Sequence, residues 1–347
     1  MKQWISIAFL SLTIAACNNT GDRPIAPSEI SKNCRIVPHL QGETEICGEP
    51  QRIVVLGPSV LEPLLALGGQ PVGFADYTAW HRGDYNKPSQ QIPYLGHLVT
   101  TQPTNLGTAF EPSIEAIVGL QPDLILATQS NVDGYETLSA IAPTLLLSRN
   151  DDDSETRLRA IAKALDRPQQ AEELIAERHQ NVAKARDRFA SLAADRPKML
   201  LLGAIDWEEL YLGDRNYGLC SSLLQELGFE LVTPPGLNPS VADSPIPISH
   251  ETLSQLNDAD SAIVFTGNLA ELNGQDDFET HQVNHIKRAW QEDAIAQSLD
   301  ASKAGRVYFI PGYLCRAFPG TIGTELYLEE LKEQLLSVAS SALVLLH

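Results

Sequence analysis

Between Pro168 and Ala194, apolar residues recur at Ala171, Leu174, Ile175, Val182, Ala185, Phe189 and Leu192, in steps of three, four and seven. That spacing lines one face of a helix. Roughly 27 residues at about 1.5 Å each predict a rod about 40 Å long. Asp166 is placed to cap it, with Gln169 three residues on and Pro168 in the first turn. No Gly or Pro interrupts the rod, and Arg196-Pro197 ends it.

The flanks of the rod carry one pattern twice. Gln51-Arg52-Ile53-Val54-Val55-Leu56-Gly57 reads as a short buried strand ending in Gly, and so does Arg196-Pro197-Lys198-Met199-Leu200-Leu201-Leu202-Gly203. Each leads into a helix ending in Leu-Gly (Leu67-Gly68, Leu227-Gly228) and then a second strand, Pro71 to Phe74 or Phe229 to Val232. Ser113-x-Glu115 precedes the strand Asp123 to Leu126, and Ser249-x-Glu251 precedes Asp260 to Phe265. Short apolar strands alternating with helices imply parallel sheets covered on both faces. The predicted fold class is therefore α/β: two Rossmann-like lobes, 51–166 and 196–347, bridged by a single rigid helix over 167–195.

The first residues read as an address. Lys2 gives a small positive end, Ile5 to Ala15 form an apolar run, and Ile14-Ala15-Ala16-Cys17 follows. This is the pattern of a secretory signal peptide, 1–16, too short to remain as a membrane span. A Cys directly after small residues resembles the lipobox of bacterial lipoproteins, which implies cleavage before Cys17 and lipidation of its thiol. The polar stretch that follows reads as a tether within a segment spanning 17–50.

Composition narrows the partners. The chain has 347 residues, 43% hydrophobic and 20% charged, enough for a sizeable core. A formal charge of −19 argues against nucleic acid, and an anionic ligand would need a local basic patch working against the mean field. With Cys17 assigned to lipid, four of the five cysteines remain, an even number suited to disulfides in an exported protein. Three connectivities are possible. Cys34 and Cys47 flank a short polar segment and form the natural pair, leaving Cys220 with Cys315.

Ligands of parallel sheets sit beyond the strands' carboxyl ends. Those ends carry Asp76-Tyr77-Thr78-Ala79-Trp80, Ser148-Arg149, Asp206-Trp207 and Gly312-Tyr313-Leu314-Cys315-Arg316. Tyr77, Trp80, Arg149, Trp207, Tyr313 and Arg316 are therefore the candidate ligand-binding residues, on both sides of a cleft. No G-x-S-x-G, G-x-G-x-x-G, P-loop or H-E-x-x-H occurs. His281 and His285 have helical i,i+4 spacing, which suits either a metal or an exposed polar face.

QRIVVLGPSVLEPLLALGGQPVGFADY, EPSIEAIVGLQPDLIL, the long helix, ISHETLSQLNDADSAIVF and GRVYFIPGYL, in that order, resemble the class III substrate-binding lipoproteins of ABC importers for iron complexes and cobalamin. The resemblance covers the chain from about Arg52. It implies an extracytoplasmic, lipid-anchored monomer holding its ligand between two lobes with little closure. It also implies an ABC permease dimer with a cytoplasmic ATPase as partner, docked by one Glu at the top of each lobe; those positions are Glu115 and Glu251. CRIVPHLQGETEIC and GRVYFIPGYL look most like the iron-siderophore branch, whose ligand is a chelated Fe(III) complex, with no resident cofactor or catalytic residue. Many ferric hydroxamate binders carry an Arg just before the S/N-x-E segment. Here Asn105 to Phe110 has none. Cobalamin or haem would also suit aromatic walls with one or two Arg. A free-metal receptor would need converging His and carboxylates, and an enzyme a nucleophile–base pair.

Overall fold

The computed structural model describes residues 33–149, 153–213, 217–236, 246–270, 272 and 277–336. The signal peptide and lipobox, Cys17 included, lie outside the described residues.

The described chain opens with an antiparallel hairpin, β1 (Cys34–His39) and β2 (Gly42–Cys47), whose ends are opposite in register and joined by the Cys34–Cys47 disulfide. Closing a loop of this size contributes about 3 kcal/mol by chain entropy. The N-terminal lobe follows with β3 (Ile53–Leu56), α1 (Pro58–Ala66), β4 (Pro71–Asp76), α2 (Pro88–Gln91), β5 (Thr104–Thr108) and β6 (Glu111–Pro112). It ends with α3 (Ile114–Leu120), β7 (Leu124–Thr128), α4 (Tyr135–Ile141), β8 (Thr144–Leu147) and α5 (Ser154–Ala164). The sheet order is β6-β5-β4-β3-β7-β8, parallel except for β6. β3, β7 and β8 are buried along their whole length, which is why each reads as an unbroken apolar run. The hairpin lies on this lobe, with Arg35 Nη2 donating to the Ala164 carbonyl at 2.7 Å and the Leu40 N–H to Leu146 at 2.9 Å.

The rod is α6 (Pro168–Asp195), 28 residues long. Its apolar face is divided between the lobes. Ala171 and Ile175 complete the N-terminal core, while Val182, Ala185, Phe189 and Ala193 complete a C-terminal one. The predicted cap is not made by Asp166. That residue has left-handed backbone (φ 60) and terminates α5, while Arg167 precedes α6 without a side-chain cap. With the preceding helix ending two residues earlier, at Ala164, Asp166 is spent on reversing the chain.

The C-terminal lobe comprises β9 (Lys198–Asp206), β10 (Glu209–Leu212), α7 (Leu219–Glu226), β11 (Glu230–Leu231), β12 (Ile246–Ile248) and α8 (His250–Leu253). It continues with β13 (Ser261–Thr266), α9 (Phe278–Glu292), α10 (Ala294–Ser298), α11 (Asp300–Lys303), β14 (Val307–Pro311), α12 (Gly312–Ala317) and α13 (Thr321–Leu331). The order β4-β3-β7-β8 in one lobe matches β11-β9-β13-β14 in the other, so the doubled sequence pattern is a doubled topology. One step differs. β11 is a stub pairing only with Lys198 and Met199, and the far half of β9 turns back as the antiparallel β10. The strand end at Asp206-Trp207 is thus a hairpin turn, not a strand-to-helix crossover.

A second disulfide, Cys220–Cys315, ties α7 to α12 across 95 residues of chain. The chain then returns to the other lobe: Ala317 and Phe318 are buried in the N-terminal core. Glu62 of α1 is fully buried and accepts the Gly320 N–H at 2.8 Å and the Gly323 N–H at 3.1 Å, at the start of α13. A carboxylate at a helix N-terminus meets unpaired N–H groups and the positive end of the dipole. The approach needs glycine, since a Cβ on residue 320 would lie 2.6 Å from the Glu62 carboxylate. The lobes are therefore joined by α6, by Phe318 and by this clamp.

Candidate functional site

The carboxyl ends of the two parallel sheets face each other. Tyr313, just past β14, donates its hydroxyl to both carboxylate oxygens of Asp76 at the end of β4, at 2.8 and 2.7 Å. The Leu272 N–H, in the loop after β13, donates to the Trp80 carbonyl at 3.0 Å. Around these bonds, aromatic rings from both lobes interlock edge to face. Trp80 packs on Phe278 and Tyr313 at 5.3 and 5.6 Å, and Tyr94 on Phe278 and Phe318 at 5.6 and 6.1 Å. Tyr313 also meets Phe318 at 5.2 Å. Such pairs add about 0.5–1.5 kcal/mol each beyond area burial. This cluster is the floor where the lobes meet.

Asp76 is 2% exposed. Burial pushes its carboxyl up to about 7, against the pull of hydrogen bonds from Tyr313 and from the backbone N–H groups of Tyr77 and Thr78. Trp80 is close enough to favour the ionised carboxyl, yet its buried indole N–H completes no hydrogen bond of normal geometry.

A second group lies on the N-terminal lobe. Arg149, at the end of β8, places its guanidinium 4.5 Å from the centre of the Tyr77 ring and 5.6 Å from that of Phe110. Its Nη1 donates to Ser130 Oγ at 2.8 Å, and its backbone N–H is accepted by the Gln129 side chain. Tyr77 is fixed in turn by donating to Ser59 Oγ at 2.7 Å. The arginine is thus held on one edge and stacked on its faces, while Phe110 is half exposed. In the C-terminal lobe, Arg316 is exposed and stands 4.8 Å over the Tyr217 ring. Among the described residues neither guanidinium forms an ion pair, although the chain carries a net charge of −19. Ile205 and Leu269, at the ends of β9 and β13, are more than half exposed.

Of the six candidate ligand-binding residues, the fold brings Tyr77 beside Arg149 and Trp80 beside Tyr313. Arg316 stands apart on α12. Trp207 joins neither group: it packs on His250 at 5.0 Å and Trp290 at 5.7 Å, its indole N–H pointing to Asp293 at 3.4 Å. The hairpin turn between β9 and β10 sends it to the α9–α10 face of the sheet. Asp76, Tyr94, Phe110 and Phe278 were not singled out in the sequence. Asp76 opens the same strand-end run as Tyr77, which was the signal to use; Tyr94 and Phe110 sit in loops without periodicity, and Phe278 opens α9.

His285 Nε2 is 2.9 Å from the Ile205 carbonyl, and His281 Nδ1 is 3.0 Å from the Gln282 amide. Among the described residues, the cluster with metal-ligand spacing is Cys34, Glu45 and Cys47, and there both thiols are in the disulfide.

Glu115 and Glu251 both lie exposed in the first turns of α3 and α8. Ser113 caps α3, accepting the Ala116 N–H at 3.3 Å. Ser249 does not cap α8; its hydroxyl is 3.1 Å from Thr252 Oγ1. The Ser249 hydroxyl beside Glu251 holds that carboxyl below the usual range. Exposed Ile114 and Val118 flank Glu115 on α3.

The sequence profile of periplasmic binding proteins matches residues 53–314. The chain belongs to the periplasmic binding protein family. A putative ABC transporter substrate-binding lipoprotein of Bacillus subtilis, YhfQ, is 26% identical to this binding protein over 95% of its chain and 96% of the relative's. The Fe(3+)-citrate-binding protein YfmC of the same organism is 27% identical over 86% and 84%. Among solved structures, Staphylococcus aureus SirA complexed with staphyloferrin B superposes with a TM-score of 0.67 at 23% identity, covering 86% of this chain and 98% of that one. That likeness shows the two-lobed α/β fold. The family consists of substrate-binding proteins rather than enzymes. Among the described residues no helix is long and apolar enough to cross a membrane.

Proposed function

We propose that this protein is an extracytoplasmic receptor that captures an anionic ferric-siderophore-type complex between its lobes and delivers it to an ABC permease. The observation that carries the reading is a pair of arginines, Arg149 and Arg316, at strand ends of opposite lobes, without acidic partners among the described residues of a strongly acidic protein. Guanidinium groups beside half-exposed apolar side chains suit a chelate that presents carboxylate oxygens and some apolar surface. Relatives named for Fe(3+)-citrate binding point the same way. Tyr77, Phe110 and Arg149 form one wall, Arg316 part of the other, and the Trp80–Tyr313 cluster the floor. Trp207 is reassigned to the support of α8. Glu115 and Glu251 dock the permease, and Cys17 carries the lipid anchor.

Titration with ferric citrate, a ferric hydroxamate, a ferric catecholate, haem and cobalamin, read by tryptophan quenching, tests the reading. Saturable micromolar or tighter binding of ferric citrate or another carboxylate-bearing ferric complex is expected. Selective binding of haem or cobalamin would move the protein to another branch of the family, and of none of the five would remove the proposal.

A further inference from the structure

The floor of the cleft holds a carboxyl group whose position serves neither lobe alone. Asp76 belongs to the N-terminal sheet, yet the hydroxyl that meets both its oxygens comes from Tyr313 of the C-terminal lobe. Among the described residues Asp76 has no ion-pair partner. A buried carboxylate without a cation is costly, and such groups cluster where a protonation state is used.

We propose that Asp76 and Tyr313 form a proton-dependent latch between the lobes, which binds its proton more tightly when an anionic iron complex is captured above it. This rests on the anionic-complex reading. The coupling follows from the neighbours. Tyr313 faces the carboxyl from α12, Tyr85 from the loop before α2, and Tyr77 lies beside it on the same turn. His81 meets the Tyr85 ring at a tilt, with centres 4.6 Å apart, and burial lowers its pKa, so it supplies no charge there near neutral pH. On α9, Glu279 acts on Tyr94, adding negative rather than positive potential. The cations that act on the neighbouring Tyr77 are the buried Arg157 and Arg149, whose guanidinium lies 4.5 Å from the centre of that ring. By simple electrostatics, the positive charge of Arg149 favours ionised Asp76 in the empty protein. A bound carboxylate neutralises that guanidinium and brings further negative charge, so the protonated carboxyl becomes the favoured form.

The sign for the empty protein is fixed by the same group. A carboxyl raised to about 7 from its ordinary value near 3.8 binds its proton more readily in the native than in the unfolded state. The stability it lends is therefore present at low pH, declines as pH rises from about 4 to 7, and is level beyond. Tyr313 shares α12 with Arg316, so the latch and that arginine lie on one short helix.

The test compares wild type with Asp76→Asn, whose carboxamide can still accept the Tyr313 hydroxyl, and with Tyr313→Phe, which keeps the ring and removes the donor. Without ligand, the melting temperature of wild type relative to Asp76→Asn should fall by several degrees between pH 5 and pH 8. In Tyr313→Phe the carboxyl loses a donor to its ionised form, so the fall should move to higher pH; a purely structural contact would not move it. With ferric citrate, the affinity of wild type relative to Asp76→Asn should drop about fivefold from pH 6 to pH 8, for an upward shift of about one unit on binding. Calorimetry in buffers of different ionisation enthalpy should show about half a proton taken up at pH 7.5 by wild type only. A pH-independent difference in melting overturns the latch. A pH-dependent difference in melting with parallel affinity profiles overturns the coupling to capture. Absence of ferric citrate binding at every pH counts against the anionic-complex reading, while the melting series still decides the latch.

Discussion

Replacing Arg149 by Ala is the most direct probe of the wall it builds. The guanidinium is already immobilised by Ser130 at 2.8 Å and by the Tyr77 ring at 4.5 Å, so little side-chain entropy is left to lose on binding. For a carboxylate about 4 Å away the attraction is about 4 kcal/mol at an effective dielectric of about 20. Desolvation of both groups returns part of that, leaving a net loss of about 2–4 kcal/mol when the arginine is removed. Affinity for the best ferric complex should therefore fall by a factor of about thirty to several hundred. Arg149→Lys keeps the charge but not the stacked, two-pronged geometry, and should recover only about tenfold of the loss. Stability should hardly change. The contact with Tyr77 is a half-exposed cation–π pair worth about 0.5–1 kcal/mol, or about 2 °C in a domain of this size. Tryptophan quenching titrations with a parallel melting curve separate the two effects. If Arg149→Ala binds every tested complex as wild type does, the wall is wrongly placed and the ligand enters elsewhere.

Glu115→Gln with Glu251→Gln should leave melting and ligand binding unchanged, because both carboxylates are exposed and exposed charges add little to stability. At an arginine-lined permease surface, the loss of each charge costs about 2–5 kcal/mol, so uptake of radiolabelled iron should collapse; full uptake by the double variant refutes the docking assignment. Cys17→Ser should abolish palmitate labelling and free the protein from the membrane fraction, and retention of both would show that the anchor lies elsewhere.

Much of this architecture is written in local pattern, and local pattern is what a sequence displays. Strands buried on both faces must be apolar throughout, so β3, β7, β8 and β13 were legible, and their recurrence either side of an uninterrupted amphipathic stretch defined two lobes and a bridge. The disulfides followed from parity and spacing. The order of segments carried the family. What the sequence could not display is which strand ends come to face each other. A chain that reads Asp206-Trp207 at the end of β9 looks equivalent to Asp76-Tyr77 at the end of β4, yet β9 runs on and folds back as β10, and Trp207 leaves the cleft for the helical face. Asp166 likewise had the chemistry of a helix cap, but the geometry of the preceding helix end claimed it. Asp76 and Tyr313 are 237 residues apart, as Glu62 and Gly320 are 258 apart, and no periodicity links positions so distant. Their pairing depends on how two sheets are set against a common helix. Burial then raises the carboxyl of Asp76, because desolvation depends on everything packed around it. Composition and period determined the parts; the relative placement of the lobes, and with it the chemistry of the cleft floor, was decided by tertiary packing alone.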